Sequence, residues 1–471
     1  MSRRLVTLIA VMLSFAGLAG VSPVRADSSS EHRYRIPSTA SPGLQAFLKL
    51  ETSAGVFNID YHYGKVTPGA GGAYLQNVGS SPSSWYIEDQ RYGNVDVIAG
   101  ILHDNVDLVK TGLEMFDFGL DREAKNGSFP GSFGLFHGTA MFLAEAAPAM
   151  LVLQSWAKEA YLGAALDAHI SWEISRMRDA ARYLIQAWWG KRGHIDDGGK
   201  EERFFEGALA LEATGVLAGS SWLESKAAVY AREGMRMTQP NGIWTEHGIT
   251  SVCCYDASYQ AIGLVYGTRY LALLGSGSLY DSVASVVQKG ESWELSRTRP
   301  DGTINISGDD RTWNGRTCPE TTGSGHCKQL DLDAVFGALM RWGVLSHSST
   351  FTRRAYFVWL QNWQAVTGQK LPAPGLVTYP RATMTVKEIG YGWPFFVGGT
   401  RFQPLEHVKV YFGRTLVGET TCDQIGSFGG HSSVSGVKFT PPASTTAGTY
   451  HITVHGNFGT VRTTKVEITD G

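Results

Sequence analysis

The chain has 471 residues, of which 43% are hydrophobic and 18% are charged, and its formal net charge is −2. This composition excludes a largely disordered chain, and the lack of dense runs of Lys and Arg argues against a nucleic-acid partner. The length is enough for two or three domains.

Residues 1–26 have the pattern of a secretory signal peptide. A basic start is followed by an apolar run from Leu5 to about Val21, and small residues at Val24 and Ala26 mark a cleavage position. Because this segment contains three arginines and no acidic residue, its removal would lower the net charge to about −5. We expect an extracellular or cell-surface protein, with no membrane span in the mature chain; the alternative is an uncleaved anchor.

Five cysteines are present, and two of them bracket a short loop rich in Gly and Thr. In an exported protein, Cys318 and Cys327 are expected to form a local disulfide. A zinc site is disfavoured because the CxxC spacing is absent. Cys253, Cys254 and Cys422 have no assigned pairing, and we predict neither a metal nor a cofactor.

Residues 28–92 contain many turn residues and little helical periodicity, which predicts an N-terminal arm wrapped around the domain. Apolar residues then recur at three- and four-residue steps. This periodicity predicts helices near 94–117, 135–157, 163–189, 203–218, 221–238, 257–274, 279–298, 331–345 and 351–366.

Long connections at 125–133, 192–199, 239–248 and 299–308 alternate with short ones. The last two share a form, a helix followed by Pro, Asn or Asp, and Gly, with Pro240 and Pro300 sixty residues apart. Such a repeat indicates helical hairpins stacked side by side. If the array closes, the long connections open on one side around a cleft. The arrangement resembles the α/α toroids of polysaccharide lyases and glycoside hydrolases, and we assign this catalytic domain to residues 27–372.

The composition changes after Pro372. A Pro-rich linker at 373–385 leads into short alternating runs separated by glycine turns, which is typical of a small β-sandwich. Residues 386–471 resemble the immunoglobulin-like modules that follow the catalytic domains of bacterial extracellular enzymes. The predicted fold is therefore mainly α, an α/α toroid followed by a β-sandwich, and we expect a monomer.

The segment 239–270 carries the densest group of reactive side chains. The turn Asn241-Gly242-Ile243-Trp244 leads to His247, and Tyr255 and Tyr259 follow at the start of a helix. This order resembles the toroidal lyases that cleave uronate polysaccharides, of the hyaluronate, chondroitin and alginate type. The resemblance covers about twenty residues and implies a polysaccharide substrate.

Cleavage by β-elimination needs a base for the sugar C5 proton, an acid for the leaving oxygen, and donors that neutralise the carboxylate. On this hypothesis His247 is the base, Tyr259 is the acid with Tyr255 as its rival, and Arg311 binds the carboxylate. Glu246 is a further catalytic candidate. Each of these residues has a structural alternative: a hydrogen-bonded loop histidine, a packed aromatic ring, or an ion-paired loop arginine.

Further side chains in or near the connections, and Trp85 before the first predicted helix, are substrate-binding candidates. They are imidazoles, a carboxylate and aromatic rings that could stack on sugars: His137, His194, Asp309, Trp189, Trp244, Trp313 and also Trp85. The histidines and tryptophans could equally be structural.

Two other functions fit the pattern. A glycoside hydrolase needs two carboxylates across the scissile bond, for which Glu246, Asp256, Asp309 and Glu320 are candidates. A carbohydrate-binding surface protein without turnover would keep the cleft and lose the chemistry. In the lyases an asparagine neutralises the substrate carboxylate, and this asparagine has no identified counterpart here. Its absence from the matched motif slightly favours the carbohydrate-binding protein.

Overall fold

The structure is a computed structural model. It describes residues 36–62, 72, 74–75, 85–102, 106–133, 135–160, 164–189, 200–244, 255–309, 312–313, 328–367, 383–388, 394–400, 402, 407–422, 428–429, 435–442, 445–456 and 461–468. The predicted signal peptide, the predicted Cys318–Cys327 pair and the adjacent Cys253 and Cys254 lie outside these residues.

Eleven α-helices occupy the described part of the chain between Pro42 and Thr367. They are α1 (Pro42–His62), α2 (Gly93–Leu102), α3 (Val106–Leu120), α4 (Leu135–Ala160), α5 (Ala164–Trp189), α6 (Glu201–Ala218), α7 (Ser221–Met235), α8 (Ala257–Leu274), α9 (Ser278–Arg297), α10 (Leu332–Leu345) and α11 (Ser349–Thr367). A 3-10 helix, Glu88–Tyr92, directly precedes α2.

Local capping explains where several helices begin and end. Ser220, Asp256 and Asp331 each accept a hydrogen bond from a backbone N–H two or three residues later, at the starts of α7, α8 and α10. Gly219 ends α6 with φ at 61°, a left-handed conformation that glycine adopts without steric cost. These residues fix the short turns of the hairpins.

Six helices form a closed inner ring. Neighbours pack in the order α1, α2, α4, α6, α8, α10, and α10 packs back on α1. The other five cover the ring from outside, because α3, α5, α7, α9 and α11 each pack on the inner helix that precedes them in the chain. This is an α/α toroid, as predicted, built from five hairpins and closed by α1.

The prediction of an N-terminal arm was wrong for residues 42–62, because Pro42–His62 is the inner helix that closes the ring. A helix packed on several sides has no polar face, so its amphipathic period is weak. A start signal was nevertheless present: Ser41 Oγ accepts the backbone N–H of Leu44, and Pro42 occupies the first turn. The predicted helix at 94–117 is also two helices, α2 and α3.

The C-terminal strands form two antiparallel sheets. One contains β7 (His407–Phe412), β8 (Thr415–Thr421), β10 (Gly448–Gly456) and β11 (Val461–Ile468) in the order β11-β10-β7-β8. The other contains β5 (Thr383–Glu388), β6 (Phe395–Thr400) and β9 (Val437–Phe439) in the order β5-β6-β9. Alternate residues such as Val408, Val410, Ile452 and Val454 are buried between the sheets. The predicted β-sandwich is confirmed, although β5 begins at Thr383, inside the predicted linker.

Short strands also join the connections that lead into the inner helices. β1 (Trp85–Tyr86) pairs with β2 (Ser132–Phe133), and β3 (Thr312–Trp313) pairs with β4 (Lys328–Gln329). Tyr255, before α8, pairs with Asp309, before α10. Because the inner helices of the five hairpins share one direction, these connections lie at the same end of the ring.

Among the described residues, one helical stretch, Phe136–Trp156 in α4, is long and apolar enough to cross a membrane. However, 83% of its most apolar window is buried inside the protein. Such burial is expected of an inner helix that neighbouring helices cover on nearly all sides.

Candidate active site

Two inner helices are buried except for one narrow stripe each. From residue 136 to residue 153, α4 exposes only His137, Met141 and Glu145, at four-residue spacing and only partly. From residue 257 to residue 273, α8 likewise exposes only Tyr259, Ile262 and Val265. Residues three or four positions apart lie on about the same face of a helix. Both helices belong to the inner ring, and both stripes begin near their N-terminal ends. We infer that the stripes line a central cleft that opens at that end.

A carboxyl and an imidazole meet in this cleft. Glu206 in α6 is 1% exposed, and its Oε1 atom lies 3.4 Å from Nδ1 of His137 in α4. Burial raises the pKa of Glu206 well above its ordinary value. The positive charges of Arg203 and Arg91 oppose this rise, whereas Glu88 and Glu145 add to it. Burial therefore favours the protonated form of Glu206, and its neighbour His137 is partly exposed.

Two arginines bring positive charge to the same place. Arg91, in the 3-10 helix before α2, donates a 2.9 Å hydrogen bond to the carbonyl oxygen of Glu88 and a 3.2 Å bond to the hydroxyl of Tyr92. Its guanidinium also lies 4.7 Å from the centre of the Tyr92 ring. Arg203 is the one partly exposed residue between positions 201 and 215 of α6. A guanidinium group presents several N–H donors in a planar fork that suits an anionic partner.

Below these residues the ring interior is joined by buried ion pairs. Arg269 of α8 donates two hydrogen bonds to Glu51 of α1, of 2.9 and 3.0 Å, and one of 2.8 Å to Glu145 of α4. Asn94 of α2 donates to Glu145 at 2.5 Å, and Arg341 of α10 approaches Glu51 to 3.4 Å. This group, the floor network, links five of the six inner helices.

The floor network is balanced in charge, with two carboxylates and two guanidinium groups. Burial alone would raise the pKa of Glu51, but Arg269 and Arg341 outweigh burial and lower it. Glu145 lies eight residues beyond His137 on the α4 stripe, about 12 Å further along the helix axis. The floor network therefore carries no net charge.

The structure places several predicted site residues at the start of α8. Asp309 Oδ2 accepts the backbone N–H of Ala257 at 2.7 Å, and Asp256 Oδ1 accepts those of Ser258 and Tyr259 at 2.9 and 3.0 Å. These two carboxylates thus hold the helix N-terminus, a structural role. Tyr259 is partly exposed and is the first residue of the stripe on α8.

Three predicted aromatic residues lie in the core instead. Trp244 is 3% exposed and stacks on Phe205 at 4.7 Å between ring centres, which leaves no face for a sugar. Gly263, Gly267 and Gly290 make its slot, because a Cβ at any of them would lie within 3 Å of the indole. Tyr255, packed edge-on against Trp293, and Trp85 are also buried. Burial and the negative charge of Glu294 raise the pKa of Tyr255.

Other predicted residues lie outside the part of the chain that can be described. These are His194, Glu246, His247, Arg311 and Glu320. For Trp189, at the end of α5, and Trp313, in β3, the backbone alone is described.

Sequence reasoning missed Glu206, Arg91, Arg203 and the floor network. For two of these residues the sequence did contain a signal, a charged side chain inside an apolar stretch. Glu206 interrupts the apolar run of α6, and Arg269 interrupts that of α8. A charged residue inside an otherwise buried helix is rare unless it is paired or functional.

No family model matches the chain, and no curated protein matches it. One solved structure is similar to it, an unsaturated glucuronyl hydrolase, responsible for the degradation of glycosaminoglycan, from Bacillus sp. GL1. The two share 13% sequence identity with a TM-score of 0.42, over 68% of this chain and 84% of that chain. At this distance, the fold and the site rest on the contacts described above.

Proposed function

We propose that the protein cleaves glycosidic bonds in an acidic, uronate-containing glycan bound in the central cleft, with Glu206 as general acid. The observation that carries this proposal is the buried carboxyl of Glu206, 3.4 Å from His137 and beside two arginines. Protonation of a glycosidic oxygen requires a carboxyl whose pKa is raised, and burial raises the pKa of Glu206.

The charge of the cleft supports an acidic substrate. Arg91 and Arg203 are both near enough to Glu206 to affect its pKa, and both are partly exposed. A guanidinium group binds a carboxylate through two parallel hydrogen bonds, and the binding is stronger where water is excluded. A uronate carboxylate would therefore anchor a sugar ring next to the acid.

Glycoside hydrolysis also needs a second carboxylate that remains ionised. Glu145 is committed to Arg269 and Asn94. Glu88 is partly exposed at the entrance to α2 and raises the pKa of Glu206 through its negative charge. We assign Glu88 as the base that activates water, or as the nucleophile if its separation from Glu206 is short.

β-Elimination is the second candidate, and the position of Tyr259 favours it. This tyrosine lies on the exposed stripe of α8, where a phenol can serve as acid or base. In that reaction His247 and Arg311 keep their proposed roles. Replacing Tyr259 with Phe should then lower the rate at least about tenfold, or about 1.4 kcal/mol of barrier.

A panel of acidic and neutral polysaccharides and oligosaccharides tests the function. New reducing ends without absorbance near 235 nm indicate hydrolysis, whereas reducing ends with that absorbance indicate an unsaturated uronide and elimination. Activity on neutral glycans but on no acidic one would contradict the role given to the arginines. Binding without any new reducing end would establish a carbohydrate-binding protein and overturn the enzymatic proposal.

A further inference from the structure

A second group of titratable side chains lies in the outer layer, away from the cleft. It combines Asp117 from α3 with His169 and Glu173 from α5. His169 and Glu173 are four residues apart and so share one helix face. One ligand atom from each of the three residues lies within 4.8 Å of the other two, and Nε2 of His169 lies 3.1 Å from Oδ1 of Asp117.

Glu173 is the least expected member of this group. Its side chain is fully buried, and neither carboxylate oxygen has a hydrogen-bond partner among the described residues. Burying a carboxylate without a partner is costly, so such a group needs a proton or a cation. Burial, with a smaller contribution from Asp117, raises the pKa of Glu173 well above its ordinary value. A bound proton or a bound cation would each remove the electrostatic cost of burying the Glu173 carboxylate.

We propose that Asp117, His169 and Glu173 bind a divalent first-row transition metal, with Zn²⁺ as the best match. One imidazole nitrogen and two carboxylate oxygens are ligands that zinc accepts, whereas Ca²⁺ and Mg²⁺ prefer oxygen alone. Metal–ligand bonds of about 2.0–2.2 Å place neighbouring ligand atoms roughly 3.4 Å apart, so a small inward movement of the side chains completes the site. Three protein ligands leave one position for water.

The surroundings allow a cation to enter and remain. Asp117 and His169 are partly exposed, so the site opens to solvent above the buried Glu173. Asp121, one turn after Asp117, is a further carboxyl group near His169. The nearby cation Arg176 is already paired with Glu123, with 3.2 Å between its Nε and a carboxylate oxygen.

The position of the site indicates its role. α3 and α5 belong to neighbouring hairpins and contact each other on the outside of the ring. A metal shared between them would cross-link the two hairpins and stabilise the toroid, as any ligand does that binds the folded state alone. The site is independent of the chemistry proposed for the central cleft.

Calorimetric titration of the metal-stripped full-length protein with Zn²⁺ tests the proposal. We expect wild type to bind one more Zn²⁺ than His169→Gln and Glu173→Gln, and its melting temperature to rise with Zn²⁺ by a few degrees more. Glu173→Gln keeps the shape of the buried side chain, and His169→Gln changes a partly exposed one, so circular dichroism can verify that both fold.

His407→Gln is the matched control, because His407 also lies 3.2 Å from a carboxylate, that of Glu419 in the β-sandwich. It should keep the wild-type stoichiometry. Equal Zn²⁺ stoichiometry in wild type, His169→Gln and Glu173→Gln would overturn the proposal. Tighter binding of Mg²⁺ or Ca²⁺ than of Zn²⁺ at this site would contradict the assigned metal class.

Discussion

Replacing Arg269 with Met should destabilise the toroid more than any surface substitution. Arg269 is fully buried and donates to Glu51 at 2.9 and 3.0 Å and to Glu145 at 2.8 Å. Its removal takes the main cationic partner from the buried carboxylate of Glu51 and from the partly exposed carboxylate of Glu145. Removing one partner of a buried ion pair typically costs about 3–5 kcal/mol. In a domain of this size that corresponds to a drop in melting temperature of roughly 4–8 °C.

Thermal unfolding followed by the helical circular dichroism signal measures this effect. Arg341→Met is a graded control, because Arg341 makes only a 3.4 Å contact with Glu51, which keeps both hydrogen bonds from Arg269. It should cost about 1 kcal/mol. Arg236→Met removes an exposed pair with Glu233 and should cost less than about 0.5 kcal/mol. An unchanged melting temperature for Arg269→Met would refute the view that the floor network holds the inner ring together.

Three further predictions concern the packing around α8. Trp244→Ala should cost about 3–5 kcal/mol of unfolding free energy, because the ring fills a core slot against Phe205; a loss of glycan binding without a loss of stability would contradict that placement. Asp256→Ala removes the α8 cap and should cost about 1 kcal/mol by urea unfolding, whereas no loss would argue against the cap. Burial, opposed by Arg297, raises the pKa of Glu294 to about 8. An unfolded glutamate loses its proton near pH 4.5, so the unfolded state binds fewer protons between these values and wild-type stability falls as pH rises through them. Melting curves from pH 5 to pH 9 should show a smaller loss for Glu294→Gln, and identical profiles would contradict the raised pKa.

The fold followed from local patterns where the pattern was strong. Alternation with a period of two, broken by glycine turns, predicted the sandwich because each sheet has one buried face. Hairpin helices with one polar side, such as α7 and α9, were likewise visible. The helical period of apolar residues is weak in α1, because neighbouring helices cover α1 on several sides. Closure of the ring nevertheless depends on that helix.

The site was harder to predict, because its side chains come from helices far apart in the chain. His137 was identified only as one of several loop histidines, and its partner Glu206 follows sixty-nine residues later inside an apolar run. The sequence leaves two roles open for Trp244, stacking on a sugar or packing in the core. Its burial depends on three glycines contributed by α8 and α9, and spacing along the chain does not reveal such contacts.

The central claim is that Glu206 is the acid of a carbohydrate-cleaving cleft, and one comparison tests it most directly. The measurement is kcat/KM of wild type and of Glu206→Gln on the uronate-containing glycan that wild type cleaves fastest. Glu419→Gln in the β-sandwich is the control, since Glu419 also pairs with a histidine. We predict that Glu206→Gln lowers kcat/KM by about 10²–10⁴-fold with no loss of melting temperature, and that Glu419→Gln changes nothing. Full activity in Glu206→Gln would contradict the account.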